Sequence, residues 1–394
     1  MGGLATVVYD DSLIRYNFGR GHPLAPIRVD LTMRLARSLG VLDGQTAGLV
    51  AGPSATDDEI GLVHGPHYIE AVKRLSDDPT GRDLEHGLGT EDDPVFEGMH
   101  DASAHIVGAT LEAARRVWRG DSLHAVNISG GLHHAMADAA SGFCIYNDPA
   151  IAIAWLLGNG AERIAYVDID AHHGDGVQAA FYDDPRVLTI SLHESPRTLF
   201  PGSGYSSETG GPGALGSAAN VPLPPGTGDA GWLRAFHAVV PDLVRAFEPD
   251  ILVSQHGCDS HMDDPLTHLM VSVDAQRAAH LALHDLAHEV CGGRWVATGG
   301  GGYAVFDVVP RSWTHLLAVV AGRPLETSTP VPADWLGYVA EVSGGHRAPG
   351  TLGDGTVPRY DDWSTGYNPD SWLDRCVAET RREVFPYHGI DISY

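Results

Sequence analysis

Short apolar runs rich in β-branched residues recur along this 394-residue chain, and each breaks off into a small cluster of Gly, His or Asp. The runs lie at 6–9, 125–128, 163–167, 187–192, 250–254 and 295–297, lengths that suit buried strands. Between them, apolar residues fall at helical spacing over 27–39, 101–118, 150–157, 232–247 and 274–290. Strands alternating with helices call for parallel crossovers, so the expected fold is a single α/β domain over 1–394. A further helix is expected at 371–384, and the Gly- and Pro-rich 196–225 reads as a long loop.

The cluster that follows 163–167 is the densest. Residues 166–175 read Tyr-Val-Asp-Ile-Asp-Ala-His-His-Gly-Asp, three carboxylates and two imidazoles at the end of a strand. A lone Asp or His there would simply begin a loop. Five ionisable groups in eight positions instead point to a metal or catalytic site. If the extended geometry persisted, Asp168, Asp170 and His172 would project to one side and converge on one cation.

The other strand ends add His133 and His134 after Gly130-Gly131, Asp259 after Gln255-His256-Gly257-Cys258, and Tyr303 after the four glycines 299–302. Open parallel sheets place their active sites at such ends. Two carboxylates and one imidazole fit a catalytic Zn²⁺ or Fe²⁺, which takes three protein ligands and keeps a position open. The His pair and Tyr303 supply what amide hydrolysis still needs: a base, an acid and an oxyanion donor. Asp168 and Asp175 can orient the two imidazoles.

Composition narrows the class. Net charge is −26 and Lys73 is the only lysine among 25 basic residues, which speaks against a nucleic-acid footprint. No uncharged apolar run approaches a membrane span, and the first residues lack the charged-then-apolar pattern of a secretory signal. Cys144, Cys258, Cys291 and Cys376 form no Cys-x-x-Cys pair, so neither a disulfide framework nor a thiolate zinc site is expected. A cytoplasmic enzyme is the expectation. The glycines 299–302 are not followed by Lys-Ser or Lys-Thr, which disfavours a nucleotide P-loop.

Taken together, the chain resembles the zinc-dependent histone deacetylase superfamily, in its bacterial acetoin-utilisation-type branch. The resemblance is carried by His22-Pro23 with Arg28, Glu91-Asp92-Asp93-Pro94, Gly130 to Ala135, Ser141-Gly142-Phe143-Cys144 with Asn147-Asp148, residues 168–177, Phe200-Pro201-Gly202, Gly257-Cys258-Asp259 and residues 299–303, all within 1–320. It implies the arginase/deacetylase fold, an eight-stranded parallel sheet flanked by helices, with 321–394 an extension packed upon it. It implies Asp170, His172 and Asp259 as metal ligands, His133 and His134 as the acid/base pair, and Tyr303 as the carbonyl-polarising donor. Phe143 and Phe200 would wall a narrow substrate tunnel with Gly142 and Leu266, and Asp92 would grip substrate at its rim. Asp168 would pair with His133 and Asp175 with His134. Backbone oxygens of Asp168, Asp170, His172 and Leu192, with the Ser191 side chain, would hold a structural K⁺.

This chain departs from that pattern in places. Leu132 stands where many relatives have Trp, and Cys258 where Ala is commoner, a thiol that would make activity sensitive to oxidation. Ser217 replaces a Tyr of a second monovalent-cation site, so that site is not expected. The activity implied is hydrolysis of acetyl-lysine in a protein, a metabolic enzyme rather than a histone, linked to acetoin or acetate metabolism. Deacetylation of acetylpolyamines is the alternative. A binuclear manganese enzyme is disfavoured because His261 stands two residues after Asp259, and a non-catalytic acetyl-lysine binder because every catalytic position is competent. Oligomeric state is not legible.

Overall fold

The computed structural model of the protein describes residues 5–392. Its strands are β1 (Ala5–Val8), β2 (Ala47–Val50), β3 (His124–Asn127), β4 (Ile164–Asp168), β5 (Val187–Glu194), β6 (Ala218–Leu223), β7 (Ile251–Gln255) and β8 (Trp295–Thr298). The first helices are α1 (Ile27–Ser38), α2 (Asp57–Ile60), α3 (Pro66–Asp77), α4 (Met99–Arg119), α5 (Asp148–Gly158) and α6 (Asp175–Phe181). After them come α7 (Asp229–Phe247), α8 (Val273–Cys291), α9 (Val309–Val320), α10 (Ala333–Val342) and α11 (Trp372–Val384).

All eight strands join one sheet in the order β2-β1-β3-β8-β7-β4-β5-β6, every neighbouring pair parallel. This is the expected eight-stranded parallel sheet flanked by helices. Every residue of β3 to β8 is buried, which is why these strands read as continuous apolar runs rather than alternating ones. Register aligns Asn127, Thr298, Gln255, Asp168 and Ser191 in one row across β3, β8, β7, β4 and β5. The loops leaving β3, β8, β7 and β4 therefore start side by side, with β5 running on to Glu194, and they carry the motif residues.

Element ends fall within a few residues of expectation. Local chemistry explains α5: the Asn147 side chain caps it by accepting from the Ala150 amide at 3.0 Å, with Pro149 in the first turn. The larger differences lie at the edges. Strand β6 runs through the stretch expected to be loop, because its Asn220 and Pro222 disguise it. As the last strand of the sheet it needs no partner on its outer side, and so tolerates proline. Edge strand β2 and helices α2, α3, α6, α9 and α10 likewise lie outside what the sequence pattern predicts.

The segment after 320 covers exposed flanks of this frame. Helix α11 closes the β6 edge, with Thr380 Oγ1 donating to Asn220 O at 2.6 Å. Helix α10 sets Trp335 into a separate apolar cluster with Leu31 and Leu35 of α1, its indole N–H on Leu31 O at 2.9 Å.

Candidate active site

Loops leaving β3, β4, β5, β7 and β8 build the site. Beyond β3 the chain turns through Gly130 and Gly131 to His133 and His134. Asp148, at the start of α5, accepts from the Gly131 and Leu132 amides at 3.0 and 2.9 Å and from Thr110 Oγ1 at 2.6 Å, which pins the turn. Gly131 has φ +92°, and a Cβ there would collide with Gly299 O, so only glycine fits.

Each imidazole then meets its own carboxylate. His133 Nδ1 donates to Asp168 Oδ2 at 2.7 Å, and His134 Nδ1 to Asp175 Oδ1 at 2.6 Å. Their Nε2 atoms face one another at 3.1 Å. Tyr166 OH also donates to Asp168 Oδ2, at 2.7 Å. The environments push the two rings apart. Burial alone would lower His133, yet the charges of Asp168 and Asp170 lift it to about 9. Burial and the charge of His133 keep His134 below its ordinary value, with Asp175 opposing.

Strand β4 ends at Asp168 rather than running on, and that settles which acids converge. The chain turns there, Asp170 N donating to Asp168 Oδ1 at 3.2 Å, so Asp168 faces His133. The expectation that alternate residues Asp168, Asp170 and His172 share one cation is thereby corrected. The converging set is Asp170, His172 and Asp259, whose ligand atoms lie within 4.8 Å of one another, all buried. His172 Nδ1 is 3.1 Å from Asp170 Oδ1 and 2.8 Å from Asp259 Oδ2.

Neighbouring groups hold this trio from behind. Gln255 Nε2 and the Gly301 amide donate to Asp170 Oδ2 at 2.7 and 2.8 Å, and the Ala171 amide to Asp259 Oδ1 at 2.8 Å. The glycine run exists because the backbone passes directly over carboxylates: a Cβ on Gly301 would strike Asp259 and crowd Asp170 Oδ2 at 2.9 Å. Burial and the charge of Asp170 hold Asp259 above the usual carboxylate range. Burial opposes ionisation of Asp170 as well, but His133 and His172 outweigh it and keep that carboxyl well below the range. Two buried carboxylates with an imidazole between them are a donor set that a dication completes.

Above the trio opens a cleft of about 220 Å³ lined by Asp92, His134, Gly142, Phe143, His172, Leu199, Phe200, Leu266 and Tyr303. The Phe200 ring stands edge-on to His134 at 5.0 Å, and Phe143 to Tyr303 at 5.7 Å. Phe143 sits at φ +69°, costly for a bulky residue, and Tyr16 OH donates to its carbonyl at 2.7 Å to hold it. A Cβ on Gly142 would lie 2.5 Å from the His134 ring, so Gly142 gives the imidazole its room. Burial, with the charges of Asp259 and Asp170, keeps the Tyr303 phenol far above its ordinary range, so it stays a donor. Asp264 accepts from the Tyr303 and Leu266 amides at 2.8 and 3.0 Å.

The histone deacetylase domain matches residues 22–320. The chain belongs to the histone deacetylase family. Acetoin utilization protein AcuC of Bacillus subtilis (strain 168) is 42% identical over 331 residues, 84% of each chain. AcuC of Staphylococcus aureus (strain MRSA252) is 39% identical over the same shares. A solved structure of an HDAC homologue complexed with SAHA superposes with a TM-score of 0.81 at 28% identity, covering 97% of this chain and 100% of that one. The protein is thus a bacterial AcuC-type deacetylase with the arginase/deacetylase fold.

Within this deacetylase, Arg28 is a buried anchor: its guanidinium donates to Gly302 O at 3.0 Å and lies over Trp313 at 4.9 Å. Cys258 is 1% exposed and burial pushes its thiol well up, so the thiolate that easy oxidation requires is absent. His261 is also buried and bonds Asp354 of the C-terminal segment at 3.0 Å. Gln255, Asp264 and Leu199 escaped the sequence reading. Only the position of Gln255 at a strand end hinted at a role.

Proposed function

We propose that this deacetylase hydrolyses the acetyl amide of N6-acetyl-lysine in proteins and releases acetate. One observation carries the reading: the Asp170, His172 and Asp259 trio lies at the floor of a narrow cleft between Phe143 and Phe200, with His134 and Tyr303 beside it. A slender apolar stem fits between two rings, and the amide at its end reaches the floor.

The donor set fits Zn²⁺, with Fe²⁺ the alternative, and Asp170, His172 and Asp259 would hold it. Such an ion polarises the amide carbonyl and lowers the pKa of water at its open position. His134, neutral at pH 7, takes the proton of the attacking water at Nε2, while its Nδ1–H stays on Asp175. His133, held protonated by Asp168, supports that transfer across the 3.1 Å Nε2 pair and supplies the proton that the leaving amine needs. A dication on Asp170 would cancel part of the lift on His133 and leave the part owed to Asp168. Tyr303 donates to the carbonyl oxygen as negative charge develops. Asp92, exposed at the rim, grips the substrate backbone.

We assign a structural K⁺ to the backbone oxygens of Asp168, Asp170, His172 and Leu192 with the Ser191 side chain. The pairing of Asp168 with Ser191 in register supports it. Four buried, free cysteines accord with the reducing cytoplasm proposed here, and among the described residues no helix is long and apolar enough to cross a membrane. We infer a substrate among enzymes of acetoin or acetate metabolism, the relatives being named for acetoin utilization. The test is acetate release by metal-loaded protein from acetyl-lysine peptides against N-acetylated polyamines. Turnover of peptides bears the reading out, turnover of polyamines alone replaces it, and turnover of neither points to a binding protein.

A further inference from the structure

The opposite, N-terminal end of the sheet gathers a second set of nitrogen ligands. His124 opens β3 and is buried. His284 and His288 stand one turn apart on α8 and so share a helix face. The ligand nitrogens of the three lie within 4.8 Å of one another. His124 Nε2 and His288 Nε2 are 3.0 Å apart, and the three rings meet at centroid distances of 4.8, 4.9 and 4.7 Å.

Two features orient these rings. His124 Nδ1 donates to Val320 O, at the end of α9, at 3.0 Å. A carbonyl only accepts, so the proton sits on Nδ1 and the Nε2 lone pair faces the helix pair, the arrangement by which metal-binding histidines are set. Below His288, Gly293 has φ +85°, and a Cβ on it would come within 2.8 Å of the ring. Trp295 stands edge-on to both His124 and His284. Asp285 Oδ1 lies 3.1 Å from His284 Nδ1 and adds negative charge beside the cluster.

We propose that His124, His284 and His288 form a second transition-metal site, taking Zn²⁺ and separate from the metal of the catalytic end. Neutral imidazoles are its natural donors, and three of them leave a coordination position to water. A tetrahedral ion ~2.0–2.1 Å from each nitrogen sets the nitrogens about 3.3 Å apart. The His124 and His288 pair already has close to that spacing, and the half-buried His284 needs only a side-chain adjustment. His288 is exposed and gives the ion a path in. The bound ion ties α8 to β3 and, through Val320, to the end of α9.

The experiment is zinc saturation of tag-free, full-length protein, followed by desalting and elemental analysis. Two ions per chain are expected in the wild type and one in H284A/H288A, with deacetylation unchanged. The same measurement in Asp170→Asn keeps the two sites apart: one ion remains there if the proposal holds, whatever the activity. If H284A/H288A does not fold, H288Q serves, with a smaller Zn²⁺-dependent rise in thermal midpoint than in the wild type as readout, since the catalytic end still takes its ion. One ion per chain in the wild type and none in Asp170→Asn overturns the proposal, as does an equal midpoint shift in wild type and H288Q.

Discussion

At the C-terminal end of the sheet, two carboxylates and one imidazole are sealed in, and backbone amides and glycines press on them from behind. At the N-terminal end, three imidazoles sit half-open on a strand start and a helix face, with one carbonyl orienting one of them. The first cluster is incomplete without positive charge, since Asp170 and Asp259 cannot both ionise comfortably in burial. The second is a set of imidazoles that an ion joins without being required. Position on the sheet explains the contrast. Loops beyond the strand ends can wind around a site and pin it, whereas a helix face offers only the spacing of its turns.

The largest effect should come from Asp170→Asn. It removes one of the two charges that an ion at the catalytic end needs, and detectable turnover should vanish with one metal lost per chain, while the ion at the three histidines stays. Loss of both ions would show that the two ends are not independent.

Tyr303→Phe comes next. It removes only the donor to the developing oxyanion, so kcat should fall on the order of 10²–10³-fold with metal content unchanged. Near wild-type turnover would move the oxyanion donor elsewhere in the cleft.

A smaller, directional effect separates the adjacent histidines. The kcat/KM profile should lose activity on the acid side as His134 protonates, below the usual value near 6.5. The charge of Asp175 raises His134, so Asp175→Asn lowers it further and should move the acid limb to lower pH, with a lower plateau. An unmoved limb would assign the base to another group.

These three changes touch residues that the sequence announced, and the reason is local. Each strand of a parallel sheet ends in its own short motif, so Asp170, His172, Asp259, His133, His134 and Tyr303 stood out one strand end at a time. The turn after Asp168 was not legible, because strand length depends on a hydrogen bond that Asp168 itself makes with the Asp170 amide. Gln255 and Asp264 act through backbone amides and a neighbouring carboxylate, contacts that leave no pattern in the chain. Strand β6 was hidden by residues that only an edge tolerates. The three histidines at the other end come from β3 and α8, more than 150 residues apart, and only the packing of α8 on the sheet assembles them.

The gentlest probe lies beneath those histidines. Gly293→Ala places a Cβ at φ +85° and 2.8 Å from the His288 ring, so the substitution costs about 1 kcal/mol of backbone strain and tilts one ligand. No catalytic residue touches Gly293, and the catalytic end lies beyond the length of the strands. Zinc affinity at the second site should therefore fall severalfold, read by titration against a competing chelator, while kcat and KM for an acetyl-lysine peptide stay at wild-type values. Unaltered zinc affinity would mean that Gly293 serves only the helix end and that His288 reaches the ion from another rotamer. A fall in kcat alone would join the two ends of the sheet in a way that their separate hydrogen-bond networks do not predict.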